Sequence, residues 1–426
     1  MAGPVILANL SIPLLGAVDT AVIGHLDQAY NLAAVAIGST IIYSIYWAFG
    51  FLRMGVSGLA AQAYGSKDAP EVRAIFLRGA LVGVIVGLVL WIAQSQILQF
   101  ALTLFEGSAA TESLATLYFE IRVWSAPAVL LNYCLIGWFI GMQNTRVVLY
   151  LQVLMNGLNI ILDLFFVLEL GWGVTGVAIA TLISEITAAI VGLIIYRREI
   201  NRYDPGGKAR HILDFRRIKR TLAINIDIFI RTVSLLFAFA FFTSQASDFG
   251  DTTIAAHLVL IQFQLFLAFG LDGFAHAAEA LVGNSIGANN RLALRHAVTA
   301  SSKWAVGVAV AYTVVYLIAG NFIVELLTSI PEVQTVAKEF LFWLIISPII
   351  SIWSFMLDGI FIGATKSREM RNGMVISLAI FIAAVLIFKP IMGYEGIWLA
   401  FTFFMIARAI TLGLYYRRIE ASVRSS

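Results

Sequence analysis

Asp19, Asn159, Asp163 and Thr181 are the residues whose types and spacing could do chemistry, because each interrupts a long apolar stretch. Asn159 and Asp163 stand one helical turn apart and share a helix face, with Asn156 at i, i+7 from Asp163. Carboxylates inside hydrocarbon are costly and mark ion or proton pathways. Burial and mutual repulsion oppose two bare negative charges in one pocket, so a proton or small cation is their natural guest. A carboxamide and a hydroxyl add oxygens that suit a hard cation. Taken singly, Asn159 and Thr181 would serve equally well as hydrogen-bonding glue between helices, and an aspartate as a solvated cap.

Spacing argues for convergence. Asp19 precedes Asp27, the outer end of the first apolar span, by eight residues, about 12 Å at the helical rise. Asp163 lies seven residues before the short turn 170–174, and Thr181 seven after it. In an antiparallel hairpin both fall about 10 Å from the turn. Three spans thus bring two carboxylates, a carboxamide and a hydroxyl to one level.

The elements that must position them are membrane helices. Hydrophobic residues make up 60% of the 426 and charged residues 12%, with a mean hydropathy of +0.89; soluble domains carry about 25% charge. Twelve apolar stretches run near 2–26, 33–60, 76–101, 114–140, 147–168, 175–196, 221–246, 253–283, 293–320, 335–362, 372–390 and 396–416. Unpaired backbone is too costly in lipid for anything but helices here, and the alternation of an outer-membrane barrel is missing.

The chain is also written twice. Gly137, Gly141 and Arg146 recur as Gly359, Gly363 and Arg368, and Leu59 and Gly65 as Leu281 and Gly287, all 222 residues on. Ala48-Phe49-Gly50 returns as Ala268-Phe269-Gly270, and Gly176 and Ala180 as Gly396 and Ala400, 220 residues on. Two related halves point to a transporter. The expected fold is an all-α polytopic membrane protein, with twelve transmembrane helices in two pseudo-two-fold-related six-helix lobes around a central cleft. The first lobe is 1–196, a basic linker 197–220, and the second lobe 221–426. The polar residues are not duplicated: 222 positions beyond Asp19, Asn159 and Asp163 stand Phe241, Phe381 and Val385.

Charge placement orients the chain. Arg197–Arg220 holds nine Lys/Arg against three Asp/Glu, and other basic residues cluster in alternate loops. Both termini and the linker are therefore expected in the cytoplasm; topology, rather than nucleic acid, accounts for the basic linker. One cysteine, Cys134, leaves no intrachain disulfide, and the five histidines lack ligand spacing, so no metal centre or cofactor is expected. No cleavable signal is apparent, and the chain enters the membrane almost at Met1.

Other polar residues admit two readings. Pro4 and Pro13 would each loosen the first helix, as a harmless kink or as a hinge beside Asp19. Asp272, His276 and Glu279 fall at i, i+4, i+7 on one face, as a cleft lining or proton relay, or as a self-satisfied cluster. Asp227 and Arg231 read as an i, i+4 ion pair, and Arg53 as a snorkelling or paired structural cation. Aromatic residues in a cleft would suit flat cations.

Pro4 fifteen residues before Asp19, Ile140-Gly-Met-Gln-Asn-Thr-Arg146, the pair Asn159/Asp163, and Thr181 together resemble the multidrug and toxic compound extrusion (MATE) transporters. The runs 271–279 (Leu-Asp-Gly-Phe-Ala-His-Ala-Ala-Glu) and 358–365 (Asp-Gly-Ile-Phe-Ile-Gly-Ala-Thr) resemble its DinF branch. The resemblance implies efflux of small organic, often cationic, compounds driven by inward H+ or Na+. It places the cation site on Asp19, Asn159, Asp163 and Thr181, with Tyr118 as neighbour. It further implies a non-enzymatic monomer in the cytoplasmic (inner) membrane, in contact with lipid and not with nucleic acid. Two departures stand out: the cytoplasmic lead-in is absent, and no counterpart is evident for the second-lobe carboxylates that NorM-type relatives use for Na+. Three rivals are weaker. Sodium coupling suits the same oxygens. A lipid-linked oligosaccharide flippase would need a cationic cleft, against which the few intramembrane Arg/Lys argue. An enzyme would need a catalytic constellation, and no phosphate-binding loop for ATP occurs.

Overall fold

The computed structural model describes residues 1–9, 11, 18, 22, 29–103, 108–209, 212 and 214–423. They are helical throughout, with no strand among the described residues. Residues 2–9 form α1. It is followed by α2 (Ala29–Ala48), α3 (Phe51–Gly65), α4 (Ala69–Ile92), α5 (Gln94–Leu102), α6 (Ala109–Arg122), α7 (Ala126–Gly141), α8 (Thr145–Asp163) and α9 (Gly173–Tyr203). Then come α10 (Phe215–Ser247), α11 (Asp251–Gly287), α12 (Arg291–Leu327), α13 (Pro331–Glu339), α14 (Leu341–Gly363), α15 (Ser367–Met392) and α16 (Tyr394–Ala421). Among the described residues, eleven stretches are long and apolar enough to cross a membrane. Most of the span expected over 2–26 lies outside the described residues.

Two compact units result, one of Gly3–Thr221 and one of Leu222–Ser426. Helix continuity departs from the expected spans in places. The stretch 33–60 breaks at Phe49-Gly50 into α2 and α3. The stretch 114–140 is α6, a single 3-10 turn (Val123–Ser125) and α7, restarted where Pro127 lacks the amide to continue the previous helix. The stretch 335–362 divides at Phe340 into α13 and α14. Hydropathy averages over such breaks. Conversely, helix invades the basic segment: α9 runs on to Tyr203 and α10 starts at Phe215, its first amides capped by Asp214 Oδ1. The first unit secures this segment with ion pairs. Arg73 Nε donates to Asp204 at 3.1 Å, while Glu71 accepts from both Arg78 and Arg217.

The repeat seen in the sequence is a repeat of backbone. The non-glycine residues with positive φ are Lys67 (57°), Gln143 (62°), Asn289 (52°) and Thr365 (53°) among the described residues, two pairs separated by 222. All four end a helix the same way. The amide after each reaches back to a carbonyl five residues earlier: Asp68 to Ala63, Asn144 to Phe139, Asn290 to Ser285 and Lys366 to Phe361, at 2.8–3.0 Å. The helix crossings repeat as well. A Cβ at Gly137 would stand 2.3 Å from Arg53 O and one at Gly359 2.2 Å from Ala275 O. At Gly141 and Gly363 the clashes would be with Ser57 O (2.7 Å) and Glu279 O (2.3 Å). Small residues let membrane helices approach to this degree.

Lys67 is exposed and strained in the left-handed region. Lys67→Gly is expected to stabilise the protein by about 0.5–1 kcal/mol, read as a higher apparent melting temperature in detergent.

Candidate functional site

The α8–α9 hairpin holds the polar residues of the first unit. Its turn needs glycine, since Gly171 and Gly173 take φ of 67° and 53°. Directly after Asp163 the helix widens into a π segment, Leu164–Glu169, a form often found beside functional residues. Phe166 stacks on Trp172 at 4.9 Å and closes the turn.

Three predicted site residues meet. Asn159 Nδ2 donates to Asp163 Oδ2 at 3.0 Å along α8 and to Thr181 Oγ1 at 3.3 Å across to α9. Thr181 Oγ1 donates back to Val177 O at 2.9 Å, which leaves its oxygen to accept from the amide. Asp163 is 0% exposed and Asn159 1%. Asn159 Oδ1 has no hydrogen-bond partner among the described residues. A carboxylate, a hydroxyl oxygen and a spare amide oxygen in one dry place are suited to a proton or a hard cation.

Tyr118 is buried on the neighbouring α6, where α2 makes room for it: a Cβ at Gly38 would lie 2.6 Å from its ring. The ring belongs to a small apolar cluster with Val22, Val35, Val167, Val174 and Val177. Asn156 donates to Ser11 Oγ at 2.7 Å, so the start of the chain lies against α8. Asp19 and Pro13 fall outside the described residues. Pro4 stands in the first turn of α1, where no intrahelical bond is forfeited.

A buried ion pair one turn away is new. Arg122, four residues after Tyr118, donates through Nη2 to Glu185 Oε1 at 2.8 Å; Glu185 is four residues after Thr181. Arg122 Nη1 reaches Tyr118 Oη at 3.5 Å, Asn132 Nδ2 donates to Glu185 O at 3.0 Å, and Tyr46 Oη to Arg122 O at 3.2 Å. Both charges were visible as ionisable residues in apolar helices, spaced i, i+4 from site residues.

The second unit fills the matching place with rings. Phe381 and Val385 stand 222 beyond Asn159 and Asp163, and Phe401 stands 220 beyond Thr181. Phe242, Phe381, Phe401 and Phe404 form part of its buried core, with Phe242 stacked on Phe401 at 4.5 Å.

Two expectations there need revision. Asp227 and Arg231 do not pair with each other: Asp227 accepts from Arg371 at 2.6 Å and Ser367 at 2.9 Å, while Arg231 donates to Asp358. Adjacent turns put the two on one face, yet the neighbouring helices offer better-placed partners. The face carrying Asp272, His276 and Glu279 splits its interactions. His276 Nδ1 lies 3.2 Å from the buried Glu279 Oε2, and Asp272 interacts electrostatically with Arg408. Arg122, Arg231 and Arg408 are all buried in candidate spans, a stronger intramembrane positive presence than the composition suggests.

The MatE family model matches residues 4–165 and 228–391, one segment in each unit. The chain belongs to the MatE family. MatE proteins are transporters rather than enzymes. This MatE chain is 38% identical to DNA damage-inducible protein F of Escherichia coli (strain K12), over 98% of this chain and 91% of that one. It is 24% identical to human multidrug and toxin extrusion protein 1, over 93% of this chain and 70% of the relative. A solved outward-facing multidrug resistance MATE family transporter of the MOP superfamily shares the fold. Its TM-score is 0.88 at 20% identity, covering 99% of this MatE chain and 95% of that one.

Proposed function

We propose that this protein is a secondary active multidrug efflux transporter of the cytoplasmic membrane, exchanging small organic, often cationic, compounds for protons. The observation that carries this reading is the dry Asn159–Asp163–Thr181 constellation, present in one lobe and replaced by phenylalanine and valine in the other. Family membership and the names of the relatives support efflux.

In the proposed cycle, protons from outside neutralise Asp163 together with Asp19. Protonation changes the hydrogen bonding that Asn159 supplies and releases the bound compound outward. The lobes then turn inward, the protons leave, and a new compound enters. Coupling requires only that proton and compound favour different states. Both termini lie in the cytoplasm, on the side of the basic segment 197–220.

Asp163→Asn is expected to lower compound-for-proton exchange in membrane vesicles by about ten-fold or more, within a coupling free energy of 1–3 kcal/mol. It should also flatten the pH dependence. Exchange at the wild-type rate with the wild-type pH profile would remove Asp163 from the mechanism. The spare Asn159 Oδ1 favours one second reading, Na+ coupling at the same oxygens. A Na+ gradient imposed at fixed pH, driving efflux as well as a proton gradient does, would select it.

A further inference from the structure

The second unit contains a charge cluster that the first-lobe site does not use. Asp358 on α14 accepts from Arg231 Nη2 on α10 and from Arg408 Nη2 on α16, the latter at 2.7 Å, both on the same oxygen, Oδ2. The side chains of Arg231, Asp358 and Arg408 are 8%, 10% and 3% exposed. Arg408 Nη1 also touches Met405 Sδ at 3.4 Å, and its guanidinium lies over the rings of Phe404 (5.6 Å) and Phe355 (5.9 Å). Neither arginine finds an acceptor for its Nε–H among the described residues.

Donors therefore outnumber acceptors. Each guanidinium offers five N–H groups, yet the pair shares one carboxylate oxygen and a thioether. Two cations on one anion leave a positive charge, against which the half-buried Asp272 on α11 is the next acid. A brace between helices would need one arginine per carboxylate and would leave no buried Nε–H unbonded. Nor is the cluster part of the shared scaffold. The equivalent first-lobe positions are Asn9 and Ile136, 222 earlier, and Ala188, 220 earlier. Beside it, Met405 helps line a small cavity with Gln264, Ser347, Ser351 and Thr402.

We infer that Arg231 and Arg408 form a binding site for an organic anion, a carboxylate or sulfonate on an amphiphilic compound, with Asp358 as its built-in competitor. Guanidinium forks match two-oxygen anions, and Phe355 and Phe404 supply apolar surface for the body of the guest. On binding, the guest's oxygens take over donors now held by Asp358 and satisfy the idle ones. The substrate range then extends beyond cations to anionic or zwitterionic compounds.

The test uses purified full-length protein and two probes on one ring system, naphthalene carboxylate and its trimethylammonium counterpart, with binding followed calorimetrically. Asp358→Asn removes the competitor and should tighten the carboxylate about ten-fold while leaving the ammonium probe unchanged. Arg408→Lys, which keeps the charge but loses the fork, should weaken the carboxylate by a similar factor. Loss of counter-charge will destabilise Asp358→Asn, so its melting temperature is read with and without probe; the carboxylate should restore it and the ammonium should not. Equal carboxylate affinity in the wild type and both variants would overturn the site, as would Asp358→Asn weakening it. Neither result bears on Asp163, which is read by exchange in the other lobe.

Discussion

Arg122→Leu should cost about 3–5 kcal/mol of stability, because it strands the Glu185 carboxylate inside the first lobe with no cation. The arginine is 2% exposed. Its backbone carbonyl receives the Tyr46 and Ser125 hydroxyls, so the backbone bonds survive the substitution while the charge balance does not. Glu185→Leu should cost a similar amount, leaving the guanidinium behind. The double variant Arg122→Leu/Glu185→Leu should recover most of the loss, since replacing a buried pair by apolar side chains is often neutral. Denaturant unfolding in detergent measures all three. Single variants within about 1 kcal/mol of wild type, the worth of a surface pair, would mean that solvent reaches the pair.

The second large effect concerns two glycines. Gly137→Ala and Gly359→Ala each place a methyl group 2.3 and 2.2 Å from a backbone carbonyl oxygen of the facing helix. No rotamer relieves a Cβ, so α7 must move off α3, and α14 off α11. Overpacking of this kind costs about 1–3 kcal/mol, and the upper end applies where the clash is with backbone. Gly157→Ala and Gly307→Ala are the controls, because a Cβ at either meets nothing within 4 Å; helix propensity should make them mildly stabilising. Unequal penalties at Gly137 and Gly359 would show that the two crossings respond differently despite their matching geometry.

Much of this architecture was legible because lipid imposes few choices. Apolar runs, basic loops and the 222-residue repeat each follow from that constraint. The meeting of Asn159 with Thr181 could be read because one hairpin of known rise joins them. What escaped were partners belonging to helices distant in sequence. Arg122 with Glu185, and Arg231 with Arg408 around Asp358, depend on which faces of separate helices oppose one another, and periodicity along a single helix does not report that. The same blindness produced the Asp227–Arg231 pairing, where same-face spacing was mistaken for partnership. Breaks at Phe49-Gly50 and Phe340 were hidden for another reason, since an apolar helix and an apolar interruption have the same hydropathy.

The four left-handed turns have one further implication. Lys67 and Asn289 share a backbone shape without sharing a side chain, and so do Gln143 and Thr365. Main-chain form has outlived side-chain identity. The exchange of Asn159 and Asp163 for Phe381 and Val385 is therefore a change of furnishing within a preserved room. The hairpin of α15 and α16, bent at Gly393, is a vacant tenancy for a second ion that the chain has upholstered with benzene rings instead.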